Sequence, residues 1–179
     1  MILGLDVSTS ITGATVIDSK NNILYCEHWD TRNKNKFPSL MHKAAFLKGK
    51  VKDIKKNYKI KTIFIEENLQ SFRSGFSSAK TLSTLSKING IVSFAVFEIF
   101  GREAQNVAAT SARKLCGIKV QRGTKAKEVV LKFLLDNEPA FSVQYTKHGN
   151  PKPGSYDRAD SLIIARAGLE LCKQKNSKF

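Results

Sequence analysis

Cysteine, histidine and proline are scarce in this chain, and acidic residues are half as numerous as basic ones. The three cysteines, Cys26, Cys116 and Cys172, stand far apart in 179 residues. An odd number without CxxC spacing excludes a disulfide framework and points to a reducing compartment. The three histidines, His28, His42 and His148, are equally scattered, so a zinc site is not expected. No apolar run reaches the roughly 18–20 residues of a membrane span, and Met1-Ile2-Leu3-Gly4-Leu5-Asp6 is too short for the core of a signal peptide. The expectation is a soluble cytoplasmic protein with no membrane partner. Internal repeats and low-complexity linkers are missing too. Residues 1–172 therefore read as one domain, followed by a flexible basic tail at 173–179.

What the chain has in excess is positive charge. Thirty Lys and Arg against 15 Asp and Glu give a net charge of +15. A surface that basic attracts a polyanion, nucleic acid first and an anionic membrane surface second. With 41% hydrophobic and 25% charged residues, the composition is globular, and the length is enough for a real core.

Ile2 to Asp6 is a short apolar strand ending in an acid. Thr12 to Asp18 and Ile23 to Trp29 follow as strands, joined by turn chemistry at Asp18-Ser19-Lys20-Asn21-Asn22, so the first three strands form an antiparallel meander. Pro38 to Tyr58 has helical periodicity, with Leu40, Ala44, Leu47, Val51 and Ile54 on one stripe and lysines opposite. Lys61 to Glu66 is a fourth strand, again ending in an acid, and a helix before it implies a crossover onto the same sheet. Leu69 to Phe76 reads as a loop and Ser77 to Phe100 as a long helix, in which Gly90 suggests close packing against another backbone. Gln105 to Ala109 is a fifth strand. Helices are expected at Thr110–Leu115, capped by Thr110 or Ser111, and at Thr124–Leu135. An irregular stretch with three of the four prolines then leads into a final helix. The fold class is α/β: a mixed five-stranded sheet flanked by helices.

That final helix carries Asp157-Arg158-Ala159-Asp160. Spacing of i,i+3 puts both carboxylates on one face. On their own they are well explained as anions at a helix N-terminus, where the dipole favours them. Asp6 and Glu66 change the reading. An acid at the end of a buried strand is unfavourable unless it is paired, protonated or bound to a cation. Parallel pairing of the first and fourth strands would bring these two together. Four acids without a histidine or cysteine suit oxygen-loving Mg²⁺ or Mn²⁺. In so basic a protein, the chemistry indicated is two-metal phosphodiester hydrolysis, one ion activating water and the other stabilising the leaving 3′-oxygen.

The pattern resembles the RuvC-type Holliday junction resolvases of the RNase H-like superfamily. Ile2-Leu3-Gly4-Leu5-Asp6 is similar to that family's first strand, and Phe64-Ile65-Glu66 to its Ile-Glu. Thr110-Ser111-Ala112-Arg113-Lys114-Leu115-Cys116-Gly117 resembles its Pro-Ser-x-x-Lys-x-x-x-Gly. Gly123-Thr124-Lys125-Ala126-Lys127-Glu128-Val129-Val130 resembles its Gly-x-x-x-Lys-Glu-x-Val, and Asp157 to Leu162 its Asp-x-Ala-Asp-Ala-Leu. The resemblance implies an RNase H-like fold and a homodimeric, Mg²⁺-dependent endonuclease that cuts four-way DNA junctions by symmetric paired incision, in a bacterial or phage-infected cell. By the resemblance, Asp6, Glu66, Asp157 and Asp160 would hold two Mg²⁺ ions, with Mn²⁺ able to substitute. Lys127 would reach the scissile phosphate or the attacking water. Lys114, Lys119, Arg122 and Lys125 would contact DNA backbone, Phe72 and Arg73 would meet the junction's exchange point, and helix 77–100 would form the dimer interface. The sequence departs from the family at Val7-Ser8, where Pro-Gly is usual. It leaves open whether Glu66 or Glu67 is the ligand, and whether Arg158 pairs with an aspartate or with DNA.

Other readings are a nuclease of RNA–DNA hybrids or of branched DNA and flaps with the same four acids, and a basic DNA-binding module without catalysis. The run Gly4-Leu5-Asp6-Val7-Ser8-Thr9-Ser10 also resembles the phosphate loop of actin-like and sugar-kinase folds, but those need two lobes and roughly twice this length.

Overall fold

A computed structural model describes residues 1–67 and 79–177. Five strands form one sheet: β1 (Ile2–Asp6), β2 (Ile11–Ile17), β3 (Ile23–Asp30), β4 (Thr62–Glu66) and β5 (Gln105–Val107), in the order β3-β2-β1-β4-β5. The first three pair antiparallel, and β4 and β5 join parallel to β1 and to each other. Both parallel connections run through helices, α1 (Leu40–Asn57) and α2 (Ala79–Phe100), as a crossover requires. Three more helices follow: α3 (Ala109–Leu115), α4 (Ala126–Asn137) and α5 (Ser155–Asn176).

Side-chain alternation divides the core into two layers. Leu3, Leu5, Ile63 and Ile65 pack against α1 and α2, whose Leu47, Val51, Ile88 and Val92 are buried there. On the opposite face, Ile2 and Phe64 pack against Leu162, Ile163 and Ala165 of α5, with α3 and α4 outside it. Helix α5 lies unusually low on this face. A Cβ on Gly4 would stand 2.5 Å from the backbone of Ser161 and Ala165, and one on Gly13 would stand 1.8 Å from the Asp157 carbonyl oxygen. Only glycine permits that approach.

Several sequence expectations are corrected. Helix α1 begins at Leu40, with Ser39 as N-cap accepting from the His42 amide. Helix α3 is capped by Ala108, so neither Thr110 nor Ser111 serves, and α4 begins only at Ala126. Gly90 faces open space with nothing within 4 Å of an added Cβ, so it marks no close packing. Phe97 points outward, 48% exposed, beside Phe94 at 65%. Residues 173–176 continue α5 rather than fraying, with Lys173 paired to Glu170 and Lys175 donating to Gln105. The 22-residue α2 is also long and apolar enough to cross a membrane by length and composition, contrary to the expectation that no such stretch exists. Its buried stripe is spent on α1 and the sheet core.

Candidate active site

Strand register brings the first two acids together. Leu5 pairs with Ile65, so Asp6 and Glu66 follow side by side at the carboxyl ends of two central parallel strands. Alternation turns both toward α5, on the face of Gly4 and Phe64. Helix α5 starts above this edge. Its N-cap is Gly154 at φ 90°, with no side-chain capping bond, so Asp157 and Asp160 are not caps. They project back onto Asp6 from the first and second turns.

The four acids bear on one another electrostatically. Burial pushes the Asp6 carboxyl well above its ordinary range, and the charges of Glu66, Asp160 and Asp157 push it further. Burial also raises Glu66, opposed by a hydrogen bond from the Asp6 carboxyl and by the cations Lys127 and Arg113. Asp160 rises to about 6, through burial against the pull of Lys127, with Glu66 and Asp157 adding repulsion. Burial raises Asp157 as well, while Lys127, its own amide, His28 and Arg32 lower it. The Glu67 amide donates to the Val107 carbonyl on the neighbouring strand.

Among the described residues, Lys127 is the one lysine paired with an acid of the cluster. Its Nζ stands 3.6 Å from Asp160 Oδ2, with 61% of the side chain exposed. Partial burial lowers its pKa, but Asp160, Asp6, Asp157 and Glu66 together outweigh that and raise it. The other basic candidates stand further out. Lys114, Lys119 and Arg122 are exposed, and Lys125 pairs with Glu128 at 3.0 Å. Phe72 and Arg73 lie outside the described residues.

Four residues near the acids escaped the sequence reading. Arg113, next to the expected Lys114, is the member of α3 whose charge reaches Glu66. Buried Asn89 of α2 donates through Nδ2 to the Glu66 carbonyl at 3.1 Å, fixing the end of β4 from behind. On the β3 side, His28 and Arg32 bear on Asp157. Sequence offers no signal for Arg113 or Asn89, since only the crossing of helices selects them from their neighbours. Arg158, by contrast, pairs with neither aspartate. It donates to the carbonyls of Cys26 and Ser142 and lies over the Phe141 ring, fastening α5 to β3 and to the preceding loop.

The donor chemistry fits a hard divalent cation: four carboxylates, no sulfur or nitrogen ligand, and one lysine against up to four negative charges. Among the described residues, no group of three or more His, Cys, Asp or Glu side chains is gathered tightly enough to hold an ion as it stands.

A mixed sheet in 3-2-1-4-5 order, acids at the ends of its first and fourth strands and a final helix bearing two more define an RNase H-like α/β fold. More closely, the chain has the fold of RuvC-type Holliday junction resolvases. It is similar to Thermus thermophilus RuvC in complex with a Holliday junction substrate at a TM-score of 0.66 and 17% identity, covering 97% of this chain and 94% of that one. Another structure of T. thermophilus RuvC gives 0.64 and 18%, covering 97% and 96%. The yeast mitochondrial Holliday junction resolvase Ydc2 gives 0.62 and 15%, covering 98% and 80%. No protein-family profile matches the chain, and no curated protein matches it in sequence.

Proposed function

We propose that this protein is a structure-selective, Mg²⁺-dependent endonuclease that resolves four-way DNA junctions by paired incision. The observation carrying this reading is the coupled set of Asp6, Glu66, Asp157 and Asp160, each raised from its ordinary pKa. A cluster of ionisable groups perturbed by burial and by one another is the electrostatic mark of a functional site. Nearly whole-chain likeness to two junction resolvases and a net charge of +15 supply the substrate class.

In this mechanism Asp6 and Glu66 stand on strand ends and Asp157 and Asp160 on a helix, so the elements that carry them are in place before substrate arrives. Divalent ions held by these four residues would activate the attacking water and stabilise the leaving oxygen. Lys127 neutralises part of the site and presents an ammonium to the phosphate. Arg113 offsets charge on the Glu66 side. Lys114, Lys119, Arg122 and Lys125 give screened contacts to the DNA backbone. The outward Phe94 and Phe97 of α2 support a homodimer built on that helix, which would set two sites on a two-fold symmetric junction. Free thiols at Cys26, Cys116 and Cys172 fit a reducing cytoplasm.

The test is cleavage of a synthetic four-way junction beside linear duplex, flap and RNA–DNA hybrid, with Mg²⁺ and with chelator. Symmetric junction cuts that chelator abolishes are expected. Cutting of the hybrid but not the junction would overturn the substrate assignment. A monomer at micromolar concentration, with and without junction, would overturn paired incision.

A further inference from the structure

The acids are bracketed by basic groups on two sides. One bank, on α3, α4 and the loop between them, carries Lys114, Lys119, Arg122, Lys125 and Lys127, which were expected to meet DNA, together with Arg113. The other lies at the β3 edge, where its residues make structural contacts and bear on Asp157. There, β3, the segment after it, the 142–153 loop and the start of α5 enclose a recess of about 470 Å³, within the size range of ligand sites. Arg32, Lys152 and Arg158 line it, with Glu27 as the one acid in the wall. Arg32 is held by Asp30 yet 50% exposed, and Lys152 is held by the neutral amide of Gln144, which leaves its charge unbalanced. The wall also contains His28, whose ring sits so close beneath Gly154 that a Cβ there would lie 2.3 Å from it. Its Nδ1 is buried without a hydrogen-bond partner, alone among the described residues. Buried polar atoms are rarely left so.

We infer that this recess is a phosphate site of its own, which takes a backbone phosphate of the nucleic-acid strand crossing the carboxylates. A strand laid over Asp157 from Lys127 must leave on the β3 side, and Arg32 and Lys152 are the cations it meets there. Phosphates held on both sides fix the strand's path across the acids, which one basic bank cannot do. The inference rests on the nuclease reading above.

The experiment compares Arg32→Gln/Lys152→Gln with its parent, both in an Asp6→Asn background with Mg²⁺ so that DNA stays intact. Junction affinity is measured against salt, and ethylation of single phosphates maps the contacts. Loss of the one phosphate contact lowers the salt slope by about 1, and the ethylated phosphate that weakens the parent ceases to matter in the variant. Lys20→Gln, on the turn at the far end of the sheet, leaves slope and map unchanged. An unchanged map overturns the inference, whether or not the slope falls, since a diffuse field would lower the slope alone. Binding of free inorganic phosphate that the double variant loses, with the DNA map intact, would make the recess a small-anion site and also overturn it. A parent that binds no nucleic acid would remove the nuclease reading and the strand site together.

Discussion

Gly13→Ala is the sharpest single test of how the site is assembled. The new Cβ would sit 1.8 Å from the Asp157 carbonyl oxygen and 2.5 Å from its carbon, where real contacts stay beyond 3.0 Å. Both obstructing atoms are backbone, so no rotamer change relieves the clash. Either β2 sinks or the start of α5 lifts, by about 1 Å, and Asp157 and Asp160 move relative to Asp6. A misplacement of about 1 Å costs on the order of 10²-fold in rate. Overpacking of this kind costs about 1–3 kcal/mol of stability, or roughly 2–4 °C in unfolding temperature per kcal/mol at this chain length. Single-turnover junction cleavage should therefore fall about a hundredfold at a temperature where circular dichroism shows the variant folded. Gly49→Ala on α1, with nothing within 4 Å of its Cβ, is the control. It should gain up to about 1 kcal/mol from helix propensity and cleave normally. Cleavage by Gly13→Ala within threefold of wild type would refute the claim that this backbone contact sets the acids.

Asp157→Asn should abolish cleavage while leaving the fold intact; full activity would break the four-acid site. Asp160, raised to about 6 from 3.8, makes the folded chain hold more protons than the unfolded chain between those values. Its contribution to stability is therefore lost as pH rises through that window. In chelator, thermal melts of Asp160→Asn should show a shallower decline from pH 4.5 to 6.5 than wild type, and equal slopes would contradict the assignment. Adding Mg²⁺ at pH 7 should raise the wild-type unfolding temperature by mass action and raise that of Asp157→Asn less. Asn89→Leu orphans the Glu66 carbonyl; it should lose about 1–3 kcal/mol in denaturant melts and cleave more slowly, and unchanged kinetics would remove its positioning role.

The sheet was legible because its strands are short apolar runs bounded by turn residues, and because a helix before β4 leaves a parallel crossover as the only economical connection. The acids were legible through their place at strand ends, where a buried carboxylate needs a reason. Placing Glu66 on the α5 side of the sheet needed strand alternation plus a known facing layer, which α5 supplies. Helix starts at Ala109 and Ala126 were missed because neither has a side-chain cap, so the polar residues nearby misled. The approach of α5 was hidden for a different reason. Gly4 and Gly13 look like ordinary small residues in strands until the backbone above them is known. His28, Arg32 and Arg113 belong to segments distant in sequence from the acids they influence, and no periodicity links them.

The descent of α5 onto Gly4 and Gly13 has a consequence for when the four carboxylates come together. Half of the acidic set is carried by the last element of the fold, and it reaches its place only by docking along the whole sheet. A chain that ends before α5 carries the residues of β1 to β5, Asp6 and Glu66 among them, but neither Asp157 nor Asp160. It has no partner acids and a bare apolar face until α5 closes that face. Completion of the core and arming of the site are then one event.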